Sequence, residues 1–267
     1  MIRSYIAIGD SFTEGIGDWV GPDAPRGWAD RLAEALAGAL ASEATESDKQ
    51  PEFLYANLAI RGRKLPQVVE EQVEPALAQS PDMISIIAGG NDILRPHFDN
   101  EATLALLMET AERIRDAGVQ VLMMSGPDPT GNLPLKHLIK DRAEAFNYGL
   151  LERARDMSGV VTVDNFSDRA FEDTTYWSED GLHLSPSGHI RVAANILDEL
   201  NVDYPATWGD PRSPEPDVKE YRSVHYFNTF VAPWIGRRLT GRSSGDGRVP
   251  KRPVLHPVEV VSSGDQG

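Results

Sequence analysis

The stretch Ser4-Tyr5-Ile6-Ala7-Ile8-Gly9-Asp10-Ser11-Phe12-Thr13-Glu14 decides the fold. Tyr5–Ile8 is a short apolar run without polar alternation, as in strands of a parallel sheet buried on both faces. Gly9-Asp10-Ser11 ends it. A serine at the carboxyl end of a first strand lies where an open α/β sheet places its ligands. A serine hydroxyl is a weak nucleophile until a base takes its proton, and the base works best when a third group orients it. Far downstream, Asp180-Gly181-Leu182-His183 offers an imidazole with a carboxylate three residues before it.

Working outward, further short apolar runs predict strands at Leu54–Leu58, Met83–Ala88, Val119–Met124 and Val160–Val163. Helical spacing separates them. Trp28, Leu32, Leu36 and Leu40 repeat after Gly27, and Val68, Val69, Val73 and Leu77 after Pro66. Leu104, Leu107, Ala111 and Ile114 make a third stripe, closed by Gly118 as a C-terminal cap. A fourth helix is expected over 136–157. A fifth follows Ser185-Pro186, a good N-cap and a good first helical residue. Alternating strands and helices imply right-handed crossovers and a doubly wound, three-layer α/β/α sandwich around a central parallel sheet of about five strands.

The chain has 267 residues, 40% of them hydrophobic, enough for one large domain and an appendage. Its net charge of −15 repels nucleic-acid phosphates, so no nucleic-acid partner is expected. The absence of cysteine excludes disulfides, thiol catalysis and thiolate-bound zinc. No charged and apolar leader precedes the first strand, and no apolar run approaches the roughly 18 residues that span a bilayer. The reading is a cytoplasmic protein without a membrane span. Apart from His183 and His189, the four histidines His97, His137, His225 and His256 show no pair at ligand spacing, so no metal or cofactor is expected.

Composition changes after Tyr204. Residues 1–204 read as the main domain, 205–240 as a proline-rich and helical extension, and 241–267 as a flexible basic tail. Between Trp234 and Pro253 stand six basic residues and one acidic residue, so that stretch is +5 and the rest of the chain −20. The tail reads as a solvated end. A bolder reading docks it on an acidic face of this protein or on an anionic partner.

Two more stretches stand at strand ends. Asn57-Leu58-Ala59-Ile60-Arg61-Gly62 follows the second strand, and Ala88-Gly89-Gly90-Asn91-Asp92 the third. Glycine exposes a backbone N–H and asparagine an amide N–H₂, the donors that hold a developing oxyanion. The α/β-hydrolase elbow Gly-x-Ser-x-Gly is absent, because Thr13 stands at its second glycine.

With Gly9-Asp10-Ser11, Gly62, Gly90-Asn91-Asp92 and Asp180-x-x-His183 in order, the chain resembles the SGNH hydrolases, or GDSL esterase/lipase family, over roughly residues 1–200. Phe12 replaces the leucine that often completes the Gly-Asp-Ser-Leu motif. The resemblance implies a flavodoxin-like fold, Ser11 as nucleophile, His183 as general base and Asp180 as its orienting partner. It also implies an oxyanion hole made of the Ser11 N–H, the Gly62 N–H and the Asn91 side chain. The function expected is a serine hydrolase of small or medium carboxylic esters, a small-molecule ester being its partner. An acyltransferase or thioesterase with the same triad, or a non-catalytic binding module on this fold, stays open.

Other residues carry blander readings. His189 reads as a packing or solvated residue of the fifth helix. Asp10 and Asp92 read as makers of local backbone hydrogen bonds, and Glu14 and Asp18 as a solvated acidic loop. Tyr221, Phe227 and Phe230 read as an apolar helix face in the extension, with cleft covering or self-association as alternatives.

Overall fold

Alternate residues of the first strand enter different cores. Tyr5 and Ala7 pack in one apolar cluster, Ile6 and Ile8 in the other. The same division repeats in Met83 and Ile87 against Ile84 and Ile86, and in Leu122 and Met124 against Val121 and Met123. Side chains of a strand point to opposite faces, so a continuous apolar run feeds two cores, one on each side of the sheet. The computed structural model describes residues 2–43, 52–132, 136–208, 229 and 243–259, with the backbone alone for 136–138.

The strands are β1 (Ser4–Gly9), a hairpin pair β2 (Trp19–Gly21) and β3 (Ala24–Pro25), β4 (Leu54–Asn57), β5 (Met83–Ile87), β6 (Gln120–Ser125), β7 (Val160–Asp164) and β8 (Arg252–Pro257). The main sheet runs β7-β6-β5-β1-β4-β8. Its first five strands are parallel, in the flavodoxin-like order 2-1-3-4-5. The helices are α1 (Ser11–Glu14), α2 (Trp28–Ser42), α3 (Leu65–Val68), α4 (Glu74–Leu77), α5 (Gly90–Ile93), α6 (Asn100–Asp116), α7 (Lys136–Ala154) and α8 (Pro186–Leu200). Helices α2 and α8 cover one face, burying Trp28, Leu32, Val192 and Ile196. Helices α3, α4, α6 and α7 cover the other, burying Leu65, Leu107, Ile114 and Leu150. The expected three-layer α/β sandwich is what forms.

The sixth strand corrects the expectation of a flexible tail from residue 241. β8 pairs antiparallel with β4, with Leu54 opposite Pro257 and Tyr55 opposite His256. Pro253 and Pro257 cost little there, because β8 is an edge strand with one side unpaired. The Arg252 guanidinium lies 5.4 Å from the Tyr55 ring centroid. Residues 260–267 and most of the 205–240 extension, including the stripe Tyr221, Phe227 and Phe230, lie outside the described residues.

Candidate active site

Ser11 opens α1 directly after β1, and Asp10 caps that helix by accepting a hydrogen bond from Phe12 N at 3.1 Å. Gly9 is clamped by a side chain from the opposite layer. Gln72 accepts from Gly9 N (2.8 Å) and donates to Gly9 O (2.9 Å), and is itself buried. It sits in a π-helical segment, Val69–Val73, that joins α3 to α4. A π turn is a common device at functional sites. Nothing in the local sequence marks Gln72, whose partner lies 63 residues away.

Residues 180 and 183 arrive on a loop before α8. Asp180 Oδ1 accepts from Leu182 N (3.0 Å), His183 N (2.9 Å) and the Ser178 hydroxyl (2.7 Å). Its Oδ2 lies 2.5 Å from His183 Nδ1. A carboxylate only accepts, so the ring proton belongs on Nδ1 and the lone pair on Nε2. That Nε2 lies 3.0 Å from Ser11 Oγ, across 172 residues of chain. Burial would raise the Asp180 carboxyl, but the His183 charge and the hydrogen bonds outweigh it and hold the group well below the usual carboxylate range. Burial would lower the His183 imidazole, but Asp180 outweighs it and raises the ring above its ordinary value.

Asn91 and Gly62 occupy the next two strand ends. Asn91 Nδ2 donates to Asp10 Oδ2 (3.0 Å) and to Arg63 O (3.1 Å), so both amide hydrogens face protein acceptors. Burial lifts the Asp10 carboxyl to about 6. Gly62 has φ +77, a left-handed conformation that favours glycine. It is not part of the cavity lining described below, and its α-carbon faces Ser243 and Ser244.

A cavity of about 170 Å³ opens beside Ser11, Asn91 and His183. Ile87, Met124, Pro127, Ile139, Phe146 and Leu182 give it a mostly apolar wall. Among the described residues no group of three or more His, Asp or Glu side chains could hold a metal ion. The set as it stands can pass a proton from a hydroxyl to an imidazole beside an apolar slot.

A family model, the GDSL-like lipase/acylhydrolase family, matches residues 7–191. The chain belongs to that family. No curated protein matches it by sequence. Among solved structures it is similar to an acetylxylan esterase from Geobacillus stearothermophilus, at 17% identity and TM-score 0.58 over 75% of this chain and 95% of that one. It is also similar to a GDSL-like lipase from Parabacteroides merdae, at 20% identity and TM-score 0.62 over 75% and 96%. A lipase from a goat rumen metagenome aligns at 18% identity and TM-score 0.56 over 78% and 97%. At these identities the likeness is one of fold.

One expectation is corrected at this GDSL-type site, and the packing reading of His189 is the one that holds. Glu14 and Asp18 are not solvated; they are 7% and 4% exposed. Glu14 accepts from Arg61 N at 2.7 Å and pairs with the Arg61 guanidinium. Asp18 pairs with Arg31 at 2.6 Å. His189 is buried on α8, where its Nδ1 accepts from Trp28 N (3.2 Å) and its Nε2 donates to Ile16 O (3.2 Å). Asp10 and Asp92 do make backbone hydrogen bonds, although Asp92 reaches Leu65 N rather than a near neighbour. No described helix is long and apolar enough to cross a membrane.

Proposed function

We propose that this protein is a serine esterase that cleaves carboxylic esters of small or medium acyl groups through an acyl-enzyme. One observation carries the reading: the unbroken line of contacts from Asp180 Oδ2 through the His183 ring to Ser11 Oγ. Nε2 takes the hydroxyl proton as Oγ attacks the ester carbonyl carbon. The charge that develops on the carbonyl oxygen is met by Ser11 N, a first-turn amide of α1 with no partner inside the helix, by Gly62 N and by Asn91 Nδ2. For Asn91 to serve, one of its two present acceptors gives way to the oxyanion. His183 then protonates the leaving alkoxide. A water attacks the acyl-enzyme, gives its proton to Nε2, and Ser11 is restored.

The apolar cavity suits a short acyl chain, and the acetylxylan esterase and lipases of similar fold support an ester substrate. The test uses p-nitrophenyl acetate and a fluorophosphonate probe. Wild-type protein hydrolyses the ester and is labelled at Ser11, whereas Ser11→Ala folds, loses turnover by several orders of magnitude and is not labelled. Turnover retained in Ser11→Ala overturns the nucleophile assignment, and a wild type that never reacts with the probe supports a non-catalytic module.

A further inference from the structure

The C-terminal segment after residue 242 lies outside the family match, yet it reaches the helix that carries Ser11. Helix α1 is one turn long, and an isolated turn of that length is not stable in water. Its terminal carbonyls need partners from elsewhere. Ser11 O receives Gly15 N and Ile16 N, both at 3.1 Å. Thr13 O receives the buried Asn57 Nδ2 at 2.9 Å. Glu14 O receives Lys251 Nζ at 2.6 Å.

The same ammonium donates to Pro25 O (3.0 Å) and to Asp30 Oδ2 (2.6 Å). All three of its donors are thus used, each by a different element: α1, β3 and α2. Just upstream, the segment seats on the Arg61–Gly62 loop. A side chain at Gly245 would stand 2.1 Å from Arg61 O, and one at Gly62 would stand 2.3 Å from the Ser243 hydroxyl. Arg61 in turn grips the Glu14 carboxylate. Glu14 is therefore held by its side chain from the Gly62 loop and by its carbonyl from Lys251.

We propose that Lys251 is a positioning residue for the hydrolysis, fixing the end of α1 and through it the Ser11 hydroxyl against His183. The inference rests on Ser11 being the nucleophile. Lys251 lines no part of the acyl cavity, so its loss acts on the placement of the nucleophile and leaves ester binding alone.

The test is Lys251→Met, which keeps the stem and removes the donors. Against p-nitrophenyl acetate, kcat falls about tenfold or more while KM stays within about twofold, since displacing a reacting group by a fraction of an ångström has effects of that order. In amide exchange, Gly15 and Ile16 lose protection while β5 amides keep theirs. An unchanged kcat with only a lowered melting temperature overturns the proposal. So does unchanged protection at Gly15 and Ile16. If Lys251→Met does not fold, Asp30→Asn, which weakens the ion pair, gives the same pattern more weakly, and an unchanged kcat there overturns the proposal. Turnover retained in Ser11→Ala strikes at the nucleophile reading instead, and the exchange measurement still decides whether Lys251 holds α1.

Discussion

Asp180 spends both oxygens on a single loop: three donors converge on Oδ1 and the imidazole on Oδ2. That crowding sets the His183 titration. The ring must be neutral to accept the Ser11 proton, and Asp180 raises its proton affinity. The ascending limb of kcat/KM against pH is therefore expected above 6.5, the ordinary imidazole value. In Asp180→Asn the raising charge is gone and burial dominates. The limb then moves to lower pH, and kcat drops by about 10⁴ because the tautomer is no longer fixed. A pH–rate profile of both proteins checks the sign, and a limb that stays put removes Asp180 from the role. At this scale the motifs were readable because Ser11, Asp180, His183 and Asn91 each stand beside telling neighbours. Gln72 and the Glu14–Arg61 pair were not, since each draws its meaning from a partner 63 or 47 residues away.

Among elements, α8 shows how a local signal carries a distant site. Ser185 accepts from Gly188 N (3.2 Å) and donates to Thr175 O (2.6 Å), so it caps the helix and ties it to the preceding loop. The helix then holds His189 against Ile16, next to α1. Ser185→Ala is expected to destabilise the fold by about 1–2 kcal/mol, the range of a lost N-cap, without changing the acyl preference. Urea unfolding together with a chain-length series checks both halves. The main helices and the five parallel strands were legible because each is a long periodic or continuous apolar pattern. The one-turn α1, the π segment and the two-residue β3 are too short for any period to register. β8 escaped for a different reason: its Arg, His and Pro content reads as coil, and only the open side of β4 makes it a strand.

For the whole molecule, the buried His189 is an expected point of acid weakness. Burial depresses the His189 imidazole to about 3, so the folded chain refuses a proton that the unfolded chain accepts below 6.5. Its contribution is complete above 6.5 and is lost as pH falls towards 3. Asp10, raised to about 6, works the other way between 3.8 and 6, as do Asp92 and His183, both raised, so the His189 contribution is read as a difference between wild type and a variant. Relative to His189→Gln, which does not titrate, the wild-type urea midpoint is therefore expected to lose ground between pH 7 and pH 4. A wild-type-minus-variant difference that does not shrink in acid contradicts this.

The β4–β8 ladder also bears on biosynthesis. β4 leaves the ribosome roughly 200 residues before its last neighbour, so a nascent chain carries a raw sheet edge until β8 has emerged. Premature stops before residue 252 would yield a chain with the family match intact and that edge bare, a template for clumping with its siblings.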